Sequence, residues 1–219
     1  MVRLDILSDP ICPWCMIGKA RLDAAMALRP GHPLVPAWHP FMLNPDMPAE
    51  GMDRRAYLEA KFGGREAAAH VYARIDEAAR DAGIEIDFAA IERTPSTVDA
   101  HRLIHWAGIE HRQGPVVDAL FAAYFLEGRD IGDRDVLAAI AGAAGMDAEA
   151  TARLLASDAD AEDVRARDAH ARARGVGAVP TFLVADRHAV PGAQPTELWL
   201  RVIDELSGVP APTHAGGTA

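Results

Sequence analysis

The sequence predicts an α/β chain in which one domain is assembled from the two ends, with an all-α helical domain inserted between them. Three observations carry this. Apolar extended runs stand near both ends, at Leu4-Asp5-Ile6-Leu7 and at Val179-Pro180-Thr181-Phe182-Leu183-Val184. From about Asp46 to Gly175 the apolar residues instead recur at helical spacing, and the breaks fall at Gly, Pro and Asp. The only two cysteines among 219 residues, Cys12 and Cys15, sit where the first extended run gives way to a helical pattern.

Taken in order, the first strand is followed by a helix from Pro13 to about Leu28, with Ile17, Ala20, Ala24 and Leu28 on one stripe and a stop at Arg29-Pro30-Gly31. Leu34 to Phe41 reads as a second strand, which completes a βαβ start. Met52 to Phe62 and Arg65 to Ala82 read as helices, separated by Gly63-Gly64 and closed by Gly83. Ser96-Thr97-Val98-Asp99 resembles a capping signal for a helix from Val98 to about Arg112. Gly114-Pro115 opens a helix reaching about Glu127, Asp133 and Asp147 read as caps of two more, and another runs from about Ala159 to Arg174. Val179 to Val184 is a strand, Asp186-Arg187 a turn, His188 to Val190 a partner strand, and Pro195 to Leu206 an amphipathic closing helix. Strand-helix-strand followed much later by strand-strand-helix is a split thioredoxin arrangement. The expected division is residues 1–48 and 165–207 for the thioredoxin-like domain, 49–164 for the helical insertion, and 208–219 for a flexible tail.

A formal charge of −10 argues against nucleic-acid and anionic-membrane partners, which need clustered Lys and Arg. The longest charge-free stretch, Pro30 to Pro45, carries too many prolines to span a membrane. Met1 to Asp5 leads straight into the first strand with no leader pattern, so a cytoplasmic location is expected. In a reducing compartment a lone cysteine pair is more plausibly catalytic than structural.

Cys12-Pro13-Trp14-Cys15 places two thiols at i and i+3, on one face of a first helical turn and within reach of a disulfide. With Cys12 as N-cap and Pro13 as first helical residue, the unpaired N–H groups and the helix dipole face the Cys12 sulfur. In such motifs the thiol pKa falls from about 8.5 to roughly 3.5–7.5. Cys12 is therefore the expected attacking, more accessible thiol, and Cys15 the buried, protonated, resolving one. Structural zinc is disfavoured, because no second cysteine pair exists and His101 and His105 lie far from the first. Two inert core cysteines are the other bland reading, weakened by the Pro-Trp between them. His101 and His105 share a helical face, but Arg102 stands where a zincin carries Glu, so they read as helix-surface or domain-interface residues. Trp14, Phe41 and Met42 form an apolar apron around Cys12 or belong to the core. On residues alone, Val179-Pro180 is either a cis bond or an ordinary trans proline opening a strand.

Cys12-Pro13-Trp14-Cys15 with Ile17-Gly18-Lys19, the segment Trp38 to Pro48, Asp99-Ala100-His101-Arg102-Leu103, and Val179-Pro180-Thr181-Phe182 with Gly192-Ala193-Gln194-Pro195 together resemble the FrnE-like branch of the DsbA family. The resemblance spans nearly the whole chain. It implies a thioredoxin-like fold with a helical insertion, dithiol-disulfide exchange, and a cis-proline loop at Val179-Pro180 beside the cysteines. Cys12, Cys15 and Pro180 are then the expected catalytic residues, and Pro13, Trp14, Val179, Thr181 and Gln194 the substrate-contacting ones, with Val179 offering its backbone to an extended substrate.

The expected function is a thiol-disulfide oxidoreductase or isomerase acting on disulfide-containing proteins or small thiols, with no cofactor beyond its cysteines, no metal, and glutathione as a candidate co-substrate. The alternative is a glutathione-dependent isomerase or transferase, related to 2-hydroxychromene-2-carboxylate isomerase and the kappa-class glutathione transferases, which share this split fold. Those enzymes commonly carry serine where Cys12 stands and lack a paired Cys15. A redox-inert binding module, the third reading, requires an unreactive Cys12.

Overall fold

The computed structural model describes residues 1–208, so the tail expected at 208–219 lies almost wholly outside the described residues. A four-stranded sheet of order β2-β1-β5-β6 is built from both ends of the chain: β1 (Val2–Ser8), β2 (Leu34–Pro40), β5 (Thr181–Val184) and β6 (His188–Pro191). β1 pairs parallel with β2 across the connecting helix α1 (Pro13–Leu28), and antiparallel with β5. Being central, β1 is covered on both faces, which is why Leu4, Asp5 and Ile6 are all buried without the alternation of a half-exposed strand.

On one face, α1 packs against the closing helix α9 (Thr196–Leu206), and the Arg21 guanidinium donates to Ala193 O at 2.8 Å. Beneath them Phe182 meets Trp199 edge to face with centroids 4.7 Å apart. The opposite face carries α4 (Val98–Ile109) and α8 (Ala161–Ala173), with α5 (Gln113–Phe125), α6 (Arg134–Ala143) and α7 (Ala148–Leu155) beyond. β2 is an edge strand, and its free backbone is met by the Gln113 amide, which accepts from Trp38 N at 2.8 Å and donates to Trp38 O at 3.0 Å.

The inserted segment is not wholly helical. A two-residue ladder joins β3 (Met52–Asp53) to β4 (Arg93–Thr94), so the helix expected from Met52 starts as α2 (Arg54–Phe62), with the Asp53 carboxylate accepting from Ala56 N at 2.9 Å. α3 (Arg65–Asp81) follows. Asp133 and Asp147 cap α6 and α7 as expected. Thr97, the N-cap residue of α4, has a non-extended backbone (φ −94°, ψ 6°) and makes no side-chain cap, and Asp99 pairs with Arg102 at 2.6 Å and Arg134 at 3.1 Å. The junction expected at 164/165 falls inside α8, and one continuous core runs from Leu4, Ile6 and Leu22 to Leu103, Val116 and Leu120.

Candidate active site

β1 delivers the chain to a tight turn in which Cys12 N donates to Asp9 O at 2.9 Å. Cys12 is the N-cap of α1, in an extended conformation (φ −92°, ψ 113°), and Pro13 occupies the first helical position. The Cys12 carbonyl accepts from Cys15 N at 3.0 Å and Met16 N at 3.3 Å, while no side chain caps the helix. Of the first-turn N–H groups only that of Trp14 is left without a backbone partner among the described residues, and with the positive end of the helix dipole it favours negative charge before the helix. The turn is held by Asp9, whose fully buried carboxylate accepts from Leu43 N at 2.7 Å.

The other wall comes from the far end of the chain. The Val179-Pro180 bond is cis, and the Cys12 thiol donates to Val179 O at 3.7 Å. What permits this approach is Gly18: a Cβ there would stand 3.0 Å from Pro180 Cγ and 3.4 Å from both Ala193 Cα and Phe182 Cζ.

Both cysteines are reduced in this structure. Burial, with the hydrogen bond and charge of Cys12 adding to it, pushes the Cys15 thiol well above its ordinary range, against the smaller pull of Ser8 and the Asp9 backbone. Cys12 is more accessible than Cys15, the order expected from sequence, though both are buried. It is 3% exposed against 1% for Cys15, because Leu43, Val71 and Tyr72 of the following segments stand around it. Its access is through a half-enclosed cavity of about 270 Å³ that also touches Pro13, Trp14, Arg54, Tyr57 and Val179.

Cys12, Pro13, Trp14, Val179 and Pro180 are therefore brought together, with Cys15 directly behind. Thr181 and Gln194 are not at the cavity: the Thr181 hydroxyl donates to Ala178 O at 2.8 Å, and the Gln194 amide to Pro191 O at 2.6 Å, so each closes its own turn. Phe41 and Met42 are core. His101 is not on a surface. It is 2% exposed, and its Nε2 lies 3.7 Å from Asp9 Oδ1 without a hydrogen bond, whereas His105 is half-buried beside Arg167. Among the described residues no group of His, Cys, Asp and Glu is arranged to hold a metal ion, and no helix is long and apolar enough to cross a membrane.

Sequence reasoning missed Arg54. Its guanidinium is 7% exposed at the cavity wall and donates to the hydroxyls of Thr94 at 3.2 Å, Tyr124 at 3.1 Å and Tyr72. Its neighbour Arg55, an exposed partner of Glu59, looks the same in sequence, so no local signal separates them.

Protein YwbO of Bacillus subtilis, which is uncharacterised, is 27% identical over 205 residues, covering 93% of this chain and 96% of its own. The crystal structure of a probable DsbA oxidoreductase, SCO1869 of Streptomyces coelicolor, superposes with a TM-score of 0.84 at 31% identity, over 97% of this chain and 92% of that one. The cytosolic disulfide reductase DsbM of Pseudomonas aeruginosa, solved with GSH, shares the fold at a TM-score of 0.65 and 20% identity, over 94% of this chain and 96% of that one. The model of the DSBA-like thioredoxin domain matches residues 3–204, which takes in the cysteine turn, the helical insertion and the cis-proline strand alike, and the chain belongs to that family.

Proposed function

We propose that the protein is a dithiol-disulfide oxidoreductase that exchanges disulfides with small-thiol or protein substrates through Cys12 and Cys15, in a reducing, cytoplasmic compartment. The observation that carries this reading is the opposed state of the two thiols: Cys12 at the open end of a helix and the mouth of a cavity, Cys15 buried behind it and held protonated. In the reducing direction the Cys12 thiolate attacks a substrate disulfide. One S–S bond breaks, one forms to Cys12, and the departing thiolate takes a proton from water. Cys15 then gives up its proton and attacks the Cys12 sulfur, which closes the internal disulfide and releases the second thiol. Val179 presents its backbone to the substrate beside the reacting sulfur, and Trp14 supplies an apolar wall.

The test is reduction of insulin by a small dithiol. Cys12→Ser should abolish it, and Cys15→Ser should accumulate mixed disulfides at Cys12 because the resolving thiol is gone. Wild-type activity in both variants would refute the proposal. A glutathione-dependent isomerase would instead keep its turnover in Cys15→Ser.

A further inference from the structure

When Cys15 closes the internal disulfide it must lose a proton, and the side toward Cys12 is then filled by the substrate half still bonded to that sulfur. The Cys15 thiol is buried against Ser8 and the Asp9 backbone. Behind this turn stand two buried groups that the exchange chemistry above does not use. The Asp9 carboxylate is fully buried: Oδ2 accepts from Leu43 N at 2.7 Å, while Oδ1 has only Ile11 N, at 3.5 Å, the outer limit of a hydrogen bond. His101 of α4, also buried, brings Nε2 to 3.7 Å from that same oxygen. This nitrogen has no hydrogen-bond partner among the described residues.

An imidazole nitrogen left alone in the interior is costly, and so is a carboxylate oxygen held by one long contact. A movement of about 1 Å would bring Nε2 to the roughly 2.8 Å of a charge-assisted hydrogen bond, so the pair gains a strong contact when a proton reaches it. His101 also has a way out. It lines a second, half-enclosed cavity of about 310 Å³ between β2, α4 and α8, which neither cysteine lines. No carboxylate lines that cavity, and its other titratable groups are already partnered: His39 Nε2 lies 2.5 Å from Asp5, His105 stands beside Arg167, and Arg167 pairs with Asp163 at 2.8 Å.

We infer that His101 is a positioning residue for the resolving step: with Asp9 it takes up the proton that Cys15 releases and passes it to the second cavity, so that proton and substrate leave by opposite sides. This rests on the redox reading above and adds the proton's route to it. In that step the Cys15 S–H bond and the bond from Cys12 to the substrate sulfur break, and the Cys12–Cys15 bond forms. The departing thiolate takes a proton from water on the Cys12 side. The Cys15 proton is held between Asp9 Oδ1 and His101 Nε2 until solvent takes it through the second cavity. The protein dithiol is oxidised by two electrons and the substrate disulfide is reduced by the same two.

The experiment mixes the reduced protein with excess 4,4′-dithiodipyridine, whose thiopyridone product absorbs light, in a stopped-flow instrument. Attack by Cys12 releases the first equivalent at a rate proportional to the reagent, and resolution by Cys15 releases the second at a rate independent of it. A thiol that must ionise into solvent before attacking speeds up about tenfold per pH unit until it titrates, which for Cys15 happens well above 9.0. In wild type the second phase should instead be flat over about the last unit below pH 9, because the proton has an internal acceptor. His101→Gln still offers Asp9 a donor but carries no proton. It should slow the second phase by roughly 100-fold near neutral pH, bring back the tenfold slope and leave the first phase unchanged. In His101→Ala, added imidazole should recover part of the second phase. A wild-type second phase that climbs tenfold per pH unit overturns the inference whether or not either variant folds. So does a folded His101→Gln whose two phases slow by the same factor, or whose second phase keeps the wild-type profile. If the second equivalent never appears, no Cys12–Cys15 bond forms, and the redox reading falls together with this inference.

Discussion

Gly18→Ala is the substitution on which local and tertiary physics disagree most sharply. Inside α1 a glycine is worse than alanine by about 1 kcal/mol, so helix propensity alone predicts stabilisation. The added methyl, however, would stand 3.0 Å from Pro180 Cγ and 3.4 Å from Ala193 Cα and Phe182 Cζ. None of these is the loose end of a flexible side chain. Pro180 is a ring, Ala193 Cα is backbone, and Phe182 is fully buried against Trp199. Overpacking of this kind costs about 1–3 kcal/mol, which exceeds the helical gain and leaves a net loss of about 1 kcal/mol. For a chain of this size that lowers Tm by roughly 2–4 °C. Gly114→Ala is the open-space control, since nothing lies near its missing Cβ; in the first turn of α5 and just before Pro115, it should gain less than the full helix-interior difference of about 1 kcal/mol. Because relief of the clash moves Pro180 away from Cys12, insulin reduction should also slow by about threefold, a fraction of the ~100-fold cost of a full ångström. Thermal unfolding of both reduced variants decides the matter. If Gly18→Ala stabilises as much as Gly114→Ala and keeps full activity, the close packing of α1 on the cis-proline loop does not constrain the site.

Two further outcomes follow from buried groups. The folded protein holds the Cys15 proton well above the ordinary thiol value of 9.0, whereas the unfolded chain releases it there, so the native state binds more protons and stability must fall as pH rises past about 9. The fall should approach about 1.4 kcal/mol per pH unit until the folded pKa is reached, with buried Tyr124 adding a loss of the same sign above its ordinary value of 10.0. Urea midpoints of the reduced protein from pH 8 to 10 should therefore drop more steeply in wild type than in Cys15→Ser, and identical slopes would refute the assignment. Asp168 ties α8 to the loop after β2: its carboxylate, 3% exposed, accepts from Met42 N at 2.7 Å and from Arg172 Nε at 2.8 Å, while Arg172 also reaches Met42 O and lies over the Phe41 ring. Asp168→Ala leaves the Met42 N–H without its partner and should cost about 2–4 kcal/mol, and Asp168→Asn, which keeps an acceptor, clearly less; equal urea midpoints would show that this clamp is idle.

How much of this was legible depended on whether the cause is local. The Cys12 cap, Pro13 at the first helical position and the Asp133 and Asp147 caps are decided within a few residues, so the sequence shows them directly. Ser96-Thr97-Val98-Asp99 has the same local look, but Arg102 and Arg134 draw the Asp99 carboxylate away, and no reading of four residues contains Arg134. The same limit explains the site. Thr181 follows Pro180 directly and Gln194 lies in the turn after β6, yet their polar atoms satisfy carbonyls three residues back and leave the cavity to others. Arg54 enters from the insertion instead. Thr94 of β4, Tyr72 of α3 and Tyr124 of α5 surround its head group with hydroxyls, a statement about three segments at once. Asp9 and His101 meet in the same way, a turn beside the cysteines against a helix of the insertion. The helical segment therefore does more than decorate a thioredoxin-like sheet: it covers Cys12, supplies the cation in the wall, and so narrows what can reach the sulfur. If that is its role, access to this site should track Arg54 and Tyr72, while the exchange chemistry tracks the cysteine turn and the Asp9–His101 pair behind it, and the two should separate in variants.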